Sequence, residues 1–224
     1  AARVFRLLDD RVTCSGPAAD GKQVDSGEIL MTGSGPVRGL LQGERVALNL
    51  IQRICAIATL TRQYVDAVQG LKVRIVDTRK TTPGLRMLEK YAVRVGGGRN
   101  HRYSLSDGVL IKDNHIAACG SLRQAVERAR SAVPHTIAVE VETDTLAQVQ
   151  ECLECGVQII MLDNMDIATL REAVSMINGK ASVEASGGVN LDTVREIAET
   201  GVDIISVGAL THSARACDIG LDWQ

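Results

Sequence analysis

IAVEVETDTLAQVQECLECGVQIIMLDN (residues 137–164) contains one complete unit of the predicted fold. The β-branched runs at its two ends, 137–142 and 158–162, have the composition of buried strands, and the apolar spacing between them is that of an amphipathic helix. The unit repeats along the chain. Equivalent residues near the ends of successive strand-like runs are Glu140, Asp163, Ser186 and Gly208, which lie 23, 23 and 22 residues apart. Strands that alternate with helices at this period predict an α/β fold with a parallel sheet.

Six short runs have this strand-like composition, at 73–77, 108–112, 137–142, 158–162, 181–186 and 203–208. With six or seven βα units, closure of the sheet into a barrel is favoured over an open sheet. The fingerprint GxGxxG does not follow the first run, and this disfavours a dinucleotide-binding Rossmann fold.

The region before these units has a different character. Residues 1–42 are rich in Gly and Ser and include β-like pieces such as PVRGLL (36–41), whereas 43–70 has no interior Gly or Pro and predicts one long helix. We therefore expect a small β-containing domain at 1–52 and a barrel domain at 53–216. The tail, 217–224 with Trp223, is expected to pack on the first domain.

Composition narrows the class of protein. With 224 residues, 45% of them hydrophobic, the chain can bury a core of domain size, and no apolar run approaches the ~18–20 residues of a membrane-spanning helix. Cys152 and Cys155 are the only close pair among six cysteines and lie in a helical pattern, which favours buried thiols over a metal site. We expect a reducing, cytoplasmic location.

Charge is unevenly distributed. Residues 72–102 hold nine Lys and Arg against Asp77 and Glu89, whereas the chain from residue 103 onward holds eight basic and eighteen acidic side chains. A basic block can indicate nucleic acid, but aromatic residues are only 2% of the chain, so platforms for base stacking are nearly absent. A compact anionic metabolite is the better candidate, and no nucleic-acid partner is expected.

Polar residues follow the predicted strands. In a βα barrel the active site is built at the carboxyl ends of the strands, and each run here ends on such residues. In VEVE (139–142), Glu140 and Glu142 share one face, so both are predicted to point into the barrel and to need a counter-charge such as Lys112. Three other basic residues are interpreted as solvated charges outside the site, namely Lys90, Arg94 and Arg99.

Glycines near the last two strand ends indicate a phosphate site. Gly187 and Gly188 precede a predicted helix, and Gly208 ends the final run. Glycine lets the backbone approach a ligand closely, and N–H groups at the start of a helix favour an anion. Taken alone, the Ser-Gly-Gly stretch fits a flexible turn equally well.

Seven motifs together resemble one family. DTRKTTPGLR, GGGRNHRYSL, IKDNHI, VEVE, MLDN, ASGG and SVGALTHS are similar, in order and spacing, to quinolinate phosphoribosyltransferase (carboxylating nicotinate-nucleotide pyrophosphorylase), a type II phosphoribosyltransferase. The likeness runs from residue 43 to the end. It implies an incomplete, about seven-stranded α/β barrel after an N-terminal α/β sandwich domain, of which 1–52 would be a remnant truncated at its front.

The resemblance also implies an activity. Quinolinate and phosphoribosyl pyrophosphate would give nicotinate mononucleotide, pyrophosphate and CO₂ with Mg²⁺, in de novo NAD biosynthesis. The enzyme would be a cytoplasmic homodimer or larger homo-oligomer, in which Arg45 enters the active site of the neighbouring subunit.

Site residues follow from the same resemblance. Quinolinate would be bound by Arg79, His101, Arg102, Lys112 and Arg45, whose charges suit a dicarboxylate. Lys80 would meet the pyrophosphate or ribose phosphates, and Glu140 and Asp163 would hold ribose hydroxyls and Mg²⁺, directly or through water, and serve in catalysis with Lys112. His115 and Asn114 would orient Lys112. The 5′-phosphate cradle would comprise Ser186, Gly187, Gly188, Gly208 and His212.

Three alternatives stay open at this point. A related enzyme could use nicotinate without decarboxylation, although the number of cations favours a dicarboxylate. A non-catalytic anion-binding barrel is disfavoured by Glu140 and Asp163, since carboxylates weaken simple phosphate binding. The third alternative is a folded but inactive fragment.

Overall fold

The computed structural model describes residues 1–223 of the chain. The N-terminal region comprises α1 (Ala2–Leu8), β1 (Thr13–Ser15), β2 (Thr32–Ser34) and α2 (Val37–Ala67). β1 and β2 form a small antiparallel sheet, with Cys14 opposite Gly33. α2 has 31 residues and passes from this region into the barrel.

Alternating strands and helices follow. In chain order they are β3 (Arg74–Val76), α3 (Arg86–Val95), β4 (Val109–Ile111), α4 (Asp113–Cys119), α5 (Leu122–Ala132), β5 (Val139–Thr143), α6 (Leu146–Glu154), β6 (Ile159–Asp163), α7 (Ile167–Ile177), β7 (Ser182–Ser186), α8 (Val194–Ala198), β8 (Ile204–Ser206) and α9 (Ala209–His212). Three of the helices begin after a residue whose side chain accepts a hydrogen bond from the first turn: Ser121, Thr145 and Asp166.

The six barrel strands form one parallel sheet in the order β3-β8-β7-β6-β5-β4. Arg99 adds a parallel bridge to Val76, on the side of β3 away from β8. The α/β prediction is therefore confirmed, with six strands and one bridging residue where about seven strands were expected. The seventh position is reduced to a single bridge, and a gap remains between it and β4.

Two clusters of buried side chains make up the core. The larger fills the space between the sheet and its helices and includes Ile57, Ile160 and Leu210. The smaller, in the N-terminal region, consists of Phe5, Val12, Leu40 and Ala47. α2 contributes to both clusters, so the predicted boundary between residues 52 and 53 falls inside one continuous helix, and the division into domains stays a prediction.

The start of α2 corrects one sequence interpretation. PVRGLL (36–41) looked β-like, but it begins the helix at Val37. Gly39 in this stretch and Gly43 one turn later are close-packing positions rather than loop signals. A Cβ on Gly39 would lie 2.8 Å from Cβ of Asp9, and one on Gly43 would lie 2.7 Å from the Phe5 ring. The helix therefore uses glycine where α1 crosses it.

The C-terminal segment runs back along α2. Gln52 accepts a hydrogen bond from the Cys217 N–H (3.3 Å) and donates one from Nε2 to the carbonyl of Ile219 (2.7 Å). Leu221 packs on the N-terminal cluster, while Trp223 keeps about half of its surface exposed. The last residue of the predicted tail, Gln224, lies outside the described residues. Among residues 1–223, no helix combines the length and apolar character needed to cross a bilayer.

Gly96 provides a test of how closely α3 packs on α2. A Cβ at this position would lie 2.4 Å from the carbonyl oxygen of Ala58 and 2.7 Å from Cβ of Thr61. We expect Gly96→Ala to lower the free energy of unfolding by about 1–3 kcal/mol, because the helices would have to separate. Urea titration measures this. Gly220→Ala is the matched control, since its Cβ would meet open space; equal stability of the two variants would contradict the close packing.

Candidate active site

The site lies where the sheet leaves its gap. A cavity of about 250 Å³ opens there. Side chains from the segment that follows the Arg99 bridge face those of β5 and β7 across it. Its lining includes the beginnings of several strands, at Arg74, Val109, Ile159 and Ile204, together with Arg99, His101, Arg102, Glu140 and Glu184. Three predicted site residues, His101, Arg102 and Glu140, therefore line this cavity, which reaches toward the amino ends of the strands. Lys112, Asp163, Ser186 and Gly208 lie at or just beyond the opposite, carboxyl ends, where the site was expected, and are not part of the cavity lining.

His101 faces two buried carboxylates. Its Nε2 is 3.2 Å from Oε2 of Glu140 and 3.6 Å from Oε1 of Glu184. Its Nδ1 accepts a hydrogen bond from the Arg102 N–H (2.8 Å), which places the ring proton on Nε2, toward the carboxylates. Because these contacts join a loop to β5 and β7, the sheet must be curved enough to bring its inner faces together.

Burial and neighbouring charges shift the pKa values of Glu184 and His101. Burial, and then the negative charge of Glu140, raises the pKa of Glu184 to about 7. Burial would lower the pKa of His101, but the hydrogen bond to Glu140 and the charge of Glu184 outweigh it and raise that pKa. Protonation of Nδ1 would cost the Arg102 N–H bond, so this contact limits the rise. The cluster is therefore able to hold and exchange a proton near neutral pH.

Arg79 and Arg102 bring like charges together. Burial lowers the pKa of Arg102, and the positive charge of nearby Arg79 lowers it further. Nε of Arg79 is buried without a hydrogen-bond partner, whereas Arg102 donates from Nη1 to the carbonyl of Gly108 (3.1 Å) across the gap. Two adjacent guanidinium groups with an unused buried donor are suited to an anion with more than one carboxylate.

Lys112 follows the last residue of β4 and pairs with Glu142, the second glutamate of β5. Its Nζ lies 2.5 Å from Oε2 of Glu142, so the predicted counter-charge is present, but it serves Glu142 while His101 serves Glu140. Nδ1 of His115 accepts from the Lys112 N–H (2.9 Å), and Asn114 bonds through its N–H to Asp113. His115 therefore holds the Lys112 backbone, whereas the hydrogen bond of Asn114 goes to Asp113.

Asp163 and Ser186 lie opposite each other at the ends of β6 and β7. Asn164 follows with a left-handed φ of 54° and donates from Nδ2 to Oδ2 of Asp163 (2.6 Å). Gly187 must be glycine here, because its φ is 89° and a Cβ would lie 2.2 Å from Oδ1 of Asn164. Gly188, at φ 60°, faces open space.

Lys80, Gly208 and His212 meet at the end of β8. A Cβ on Gly208 would lie 3.0 Å from Nε2 of His212 and 3.3 Å from Cδ of Lys80. The hydroxyl of Thr211 donates to the carbonyl of Lys80 (2.8 Å), which ties the loop after β3 to α9. The Lys80 and His212 side chains are exposed beside a backbone that can be closely approached, as an anion would require.

Arg45 is not brought to this site within the described chain. It is exposed on α2, and its ionic contact is to the adjacent Glu44, at 3.9 Å. Leu41 and Val37 lie one and two turns before it, respectively, on the same face of the helix, and both are exposed.

Carboxylate oxygens are available for a divalent cation. Oε1 of Glu140 is buried without a hydrogen-bond partner, and Asp163 stands half-buried at the rim. Mg²⁺ prefers such oxygen ligands. By register, Asp163 lies four residues beyond Ile159, the partner of Glu140, or roughly 13 Å along the strand. One ion held by both residues therefore needs bridging water. His101, Glu140 and Glu184 together present three donor atoms within 4.8 Å of one another.

Sequence reasoning missed three residues that shape the site. Glu184 was given no role, although its alternation with Val183 and Ala185 repeats the VEVE pattern and indicates an inward carboxylate. Lys90, interpreted as a solvated charge, is fully buried and lies 2.5 Å from Asp77. Asn100 bonds to Asp77 (2.6 Å), and no local sequence pattern indicates that contact.

Family comparison agrees with this geometry. Residues 1–55 match the model of the N-terminal domain of quinolinate phosphoribosyl transferase, and residues 57–222 match that of its C-terminal domain. A Bacillus subtilis protein named probable nicotinate-nucleotide pyrophosphorylase [carboxylating] is 48% identical over 97% of this chain and 75% of its own length. The Mycobacterium leprae nicotinate-nucleotide pyrophosphorylase [carboxylating] is 49% identical over 91% and 72%.

A solved structure shows the same fold. The crystal structure of nicotinate-nucleotide pyrophosphorylase from Ehrlichia chaffeensis superposes with a TM-score of 0.94, at 48% identity, over 98% of this chain and 80% of that one. The chain belongs to the quinolinate phosphoribosyl transferase family.

Proposed function

We propose that this chain transfers the phosphoribosyl group of phosphoribosyl pyrophosphate to quinolinate and releases CO₂, giving nicotinate mononucleotide and pyrophosphate for NAD biosynthesis. The observation that carries the proposal is the pairing of Arg79 with Arg102 beside His101, with a buried guanidinium nitrogen unused. Like charges that lie near each other are stabilised by a ligand of opposite charge, and quinolinate has two adjacent carboxylates.

The residues divide by the charge they offer. Arg79, His101, Arg102 and Lys112 would bind quinolinate, and Lys80 would bind pyrophosphate or ribose phosphates. Ser186, Gly187, Gly188, Gly208 and His212 would hold the 5′-phosphate, as the close contacts at Gly187 and Gly208 support. Glu140 and Asp163 would bind ribose hydroxyls and stabilise the positive charge that develops on the ribose carbon.

The proposed reaction has two steps. The pyridine nitrogen attacks the ribose carbon while the bond to pyrophosphate breaks, and no covalent enzyme intermediate is needed. The ring then carries a positive charge, so it accepts the electron pair left when the adjacent carboxylate departs as CO₂, and that carbon takes a proton. Glu140 and Asp163 would also hold Mg²⁺, which neutralises charge on the leaving pyrophosphate when bound.

Carbon dioxide release tests the function. With phosphoribosyl pyrophosphate and Mg²⁺, quinolinate labelled in its 2-carboxylate should give CO₂, pyrophosphate and nicotinate mononucleotide in equal amounts. Nicotinate should react poorly, because it has one carboxylate for a site built with several cations. Efficient turnover of nicotinate, or no turnover of quinolinate, would overturn the proposal.

The proposal includes a homodimer or larger assembly in the cytoplasm. All six cysteines are free thiols, which suits a reducing compartment. Exposed Val37 and Leu41 on the Arg45 face of α2 suit burial against a second copy, which would deliver Arg45 to the neighbouring site.

Mixed subunits test the donated arginine. Arg45→Ala should raise KM for quinolinate, and Asp163→Ala should lower kcat by about 100-fold or more, because it removes stabilisation of the ribose cation. Co-refolded in equal amounts and assayed at quinolinate well below the KM of Arg45→Ala, the two variants should recover about a quarter of wild-type activity, since half of the dimers would contain one intact site. Mixing each variant with itself is the control. A mixture no more active than its parts would show that Arg45 acts within its own subunit.

The Glu140–Glu184 pair predicts pH-dependent stability. Because the pKa of Glu184 is raised to about 7 in the folded chain, the folded state binds more protons than the unfolded state between the two pKa values. This contribution is complete below the unfolded pKa and is lost as pH rises toward 7. Glu184→Gln should flatten the decline in unfolding free energy between pH 5 and pH 8, measured by urea titration. The exposed Glu196→Gln should leave the decline unchanged; a decline equally steep in Glu184→Gln would refute the assignment.

A further inference from the structure

Two consecutive charged residues of α3 are completely buried. Glu89 and Lys90 both have 0% of their surface exposed. Burying an ion costs several kcal/mol in effect unless partners replace its water, so each must be held by specific contacts. Consecutive residues of a helix point about 100° apart, so the two side chains reach different parts of the molecule.

Lys90 reaches the segment that carries His101. Its Nζ lies 2.5 Å from Oδ1 of Asp77 and donates to the carbonyl of His101 (3.1 Å). The same Asp77 oxygen accepts from the His101 N–H (2.9 Å). The buried ion pair therefore holds both backbone polar groups of His101, one through each partner.

Asn100 extends this network along the segment. Its Nδ2 donates to Oδ2 of Asp77 (2.6 Å) and to the carbonyl of Lys90 (2.8 Å). Its Oδ1 accepts from the hydroxyl of Tyr103 (2.9 Å), whose ring centroid lies 5.1 Å from Nζ of Lys90. These contacts hold Asn100 and Tyr103. The two residues between them, His101 and Arg102, have side chains that line the cavity.

Glu89 contacts the Arg53 side chain of α2 and the loop after β3. Its Oε1 accepts from Nε (3.2 Å) and Nη2 (3.0 Å) of Arg53, and its Oε2 accepts from the Thr82 N–H (3.1 Å). Arg53 also donates to the carbonyl of Thr211. Since Thr211 donates to the carbonyl of Lys80, this second network joins the loop after β3 to α9.

We propose that α3 positions the two halves of the active site separately: Lys90, with Asp77 and Asn100, holds the residues that bind quinolinate, and Glu89, with Arg53, holds those that bind phosphate. The inference rests on the proposed function, because it assigns His101 and Arg102 to quinolinate and Lys80 and His212 to the phosphates. Neither Glu89 nor Lys90 reaches a substrate, since both are fully enclosed. They act through the backbone of other residues.

Paired variants separate the two networks. Lys90→Met and Asn100→Ala should raise KM for quinolinate by about tenfold or more, with KM for phosphoribosyl pyrophosphate within about twofold of wild type, because small displacements of binding groups are costly. Glu89→Gln and Thr211→Val should raise KM for phosphoribosyl pyrophosphate by about tenfold or more, and KM for quinolinate by a smaller factor, because Arg79 shares the loop after β3 with Lys80. Calorimetric titration of each substrate alone checks that the KM changes reflect binding. Arg86 is left unchanged, since it donates to the carbonyls of both Arg79 and Tyr103 and so joins the two networks.

Controls distinguish positioning from general damage. Arg94→Met on the exposed side of α3 and Glu196→Gln on α8 should leave both KM values unchanged. If Lys90→Met or Glu89→Gln does not fold by circular dichroism, the milder Asn100→Ala and Thr211→Val decide the matter. Equal changes in both KM values, or a fall in kcat alone, would overturn the inference. Failure of wild-type protein to release CO₂ from quinolinate would instead overturn the proposed function.

Discussion

Two carboxylates are buried inside the barrel, and the other residues of the site must compensate their negative charge. Glu140 and Glu184 face each other from β5 and β7 with almost no access to water. Buried negative charge is stable only beside a cation or a shared proton, and His101 supplies the nearest partner. His101 belongs to no strand, so its place depends on how the segment after Arg99 is held. The buried contacts of Asp77 and Lys90 do this.

The gap in the barrel gives that segment its position. A closed sheet would pair both edge strands through their backbones and leave the interior filled with side chains. Here one bridging residue takes the place of a seventh strand, and residues 100–103 turn along the opening, where Arg102 bonds across to Gly108. The side chains beside this opening thereby bring positive charge to an interior that otherwise holds carboxylates.

Much of this arrangement follows from alternation and period in the sequence. The repeat of 22–23 residues predicted the α/β fold, and VEVE predicted that Glu140 points inward, as its 5% exposure confirms. The same rule applied to ASVEAS would have identified Glu184. The stretch PVRGLL (36–41) was misleading, because a glycine in a short apolar run fits a β-containing region and a close helix crossing equally well, and only the crossing of α1 over α2 distinguishes them.

Lys90 shows where sequence reasoning ends. A lysine in an amphipathic helix is usually solvated, and nothing within one helical turn indicates that Asp77 and the carbonyl of His101 will enclose it. By itself the sequence determined the alternation of strands and helices in the barrel and the inward face of β5, because these depend on neighbours two to four residues away. Tertiary structure alone decided which charges meet, since the partners of Glu89, Lys90 and Glu140 lie 7 to 44 residues distant in the chain and are joined only when the sheet curves.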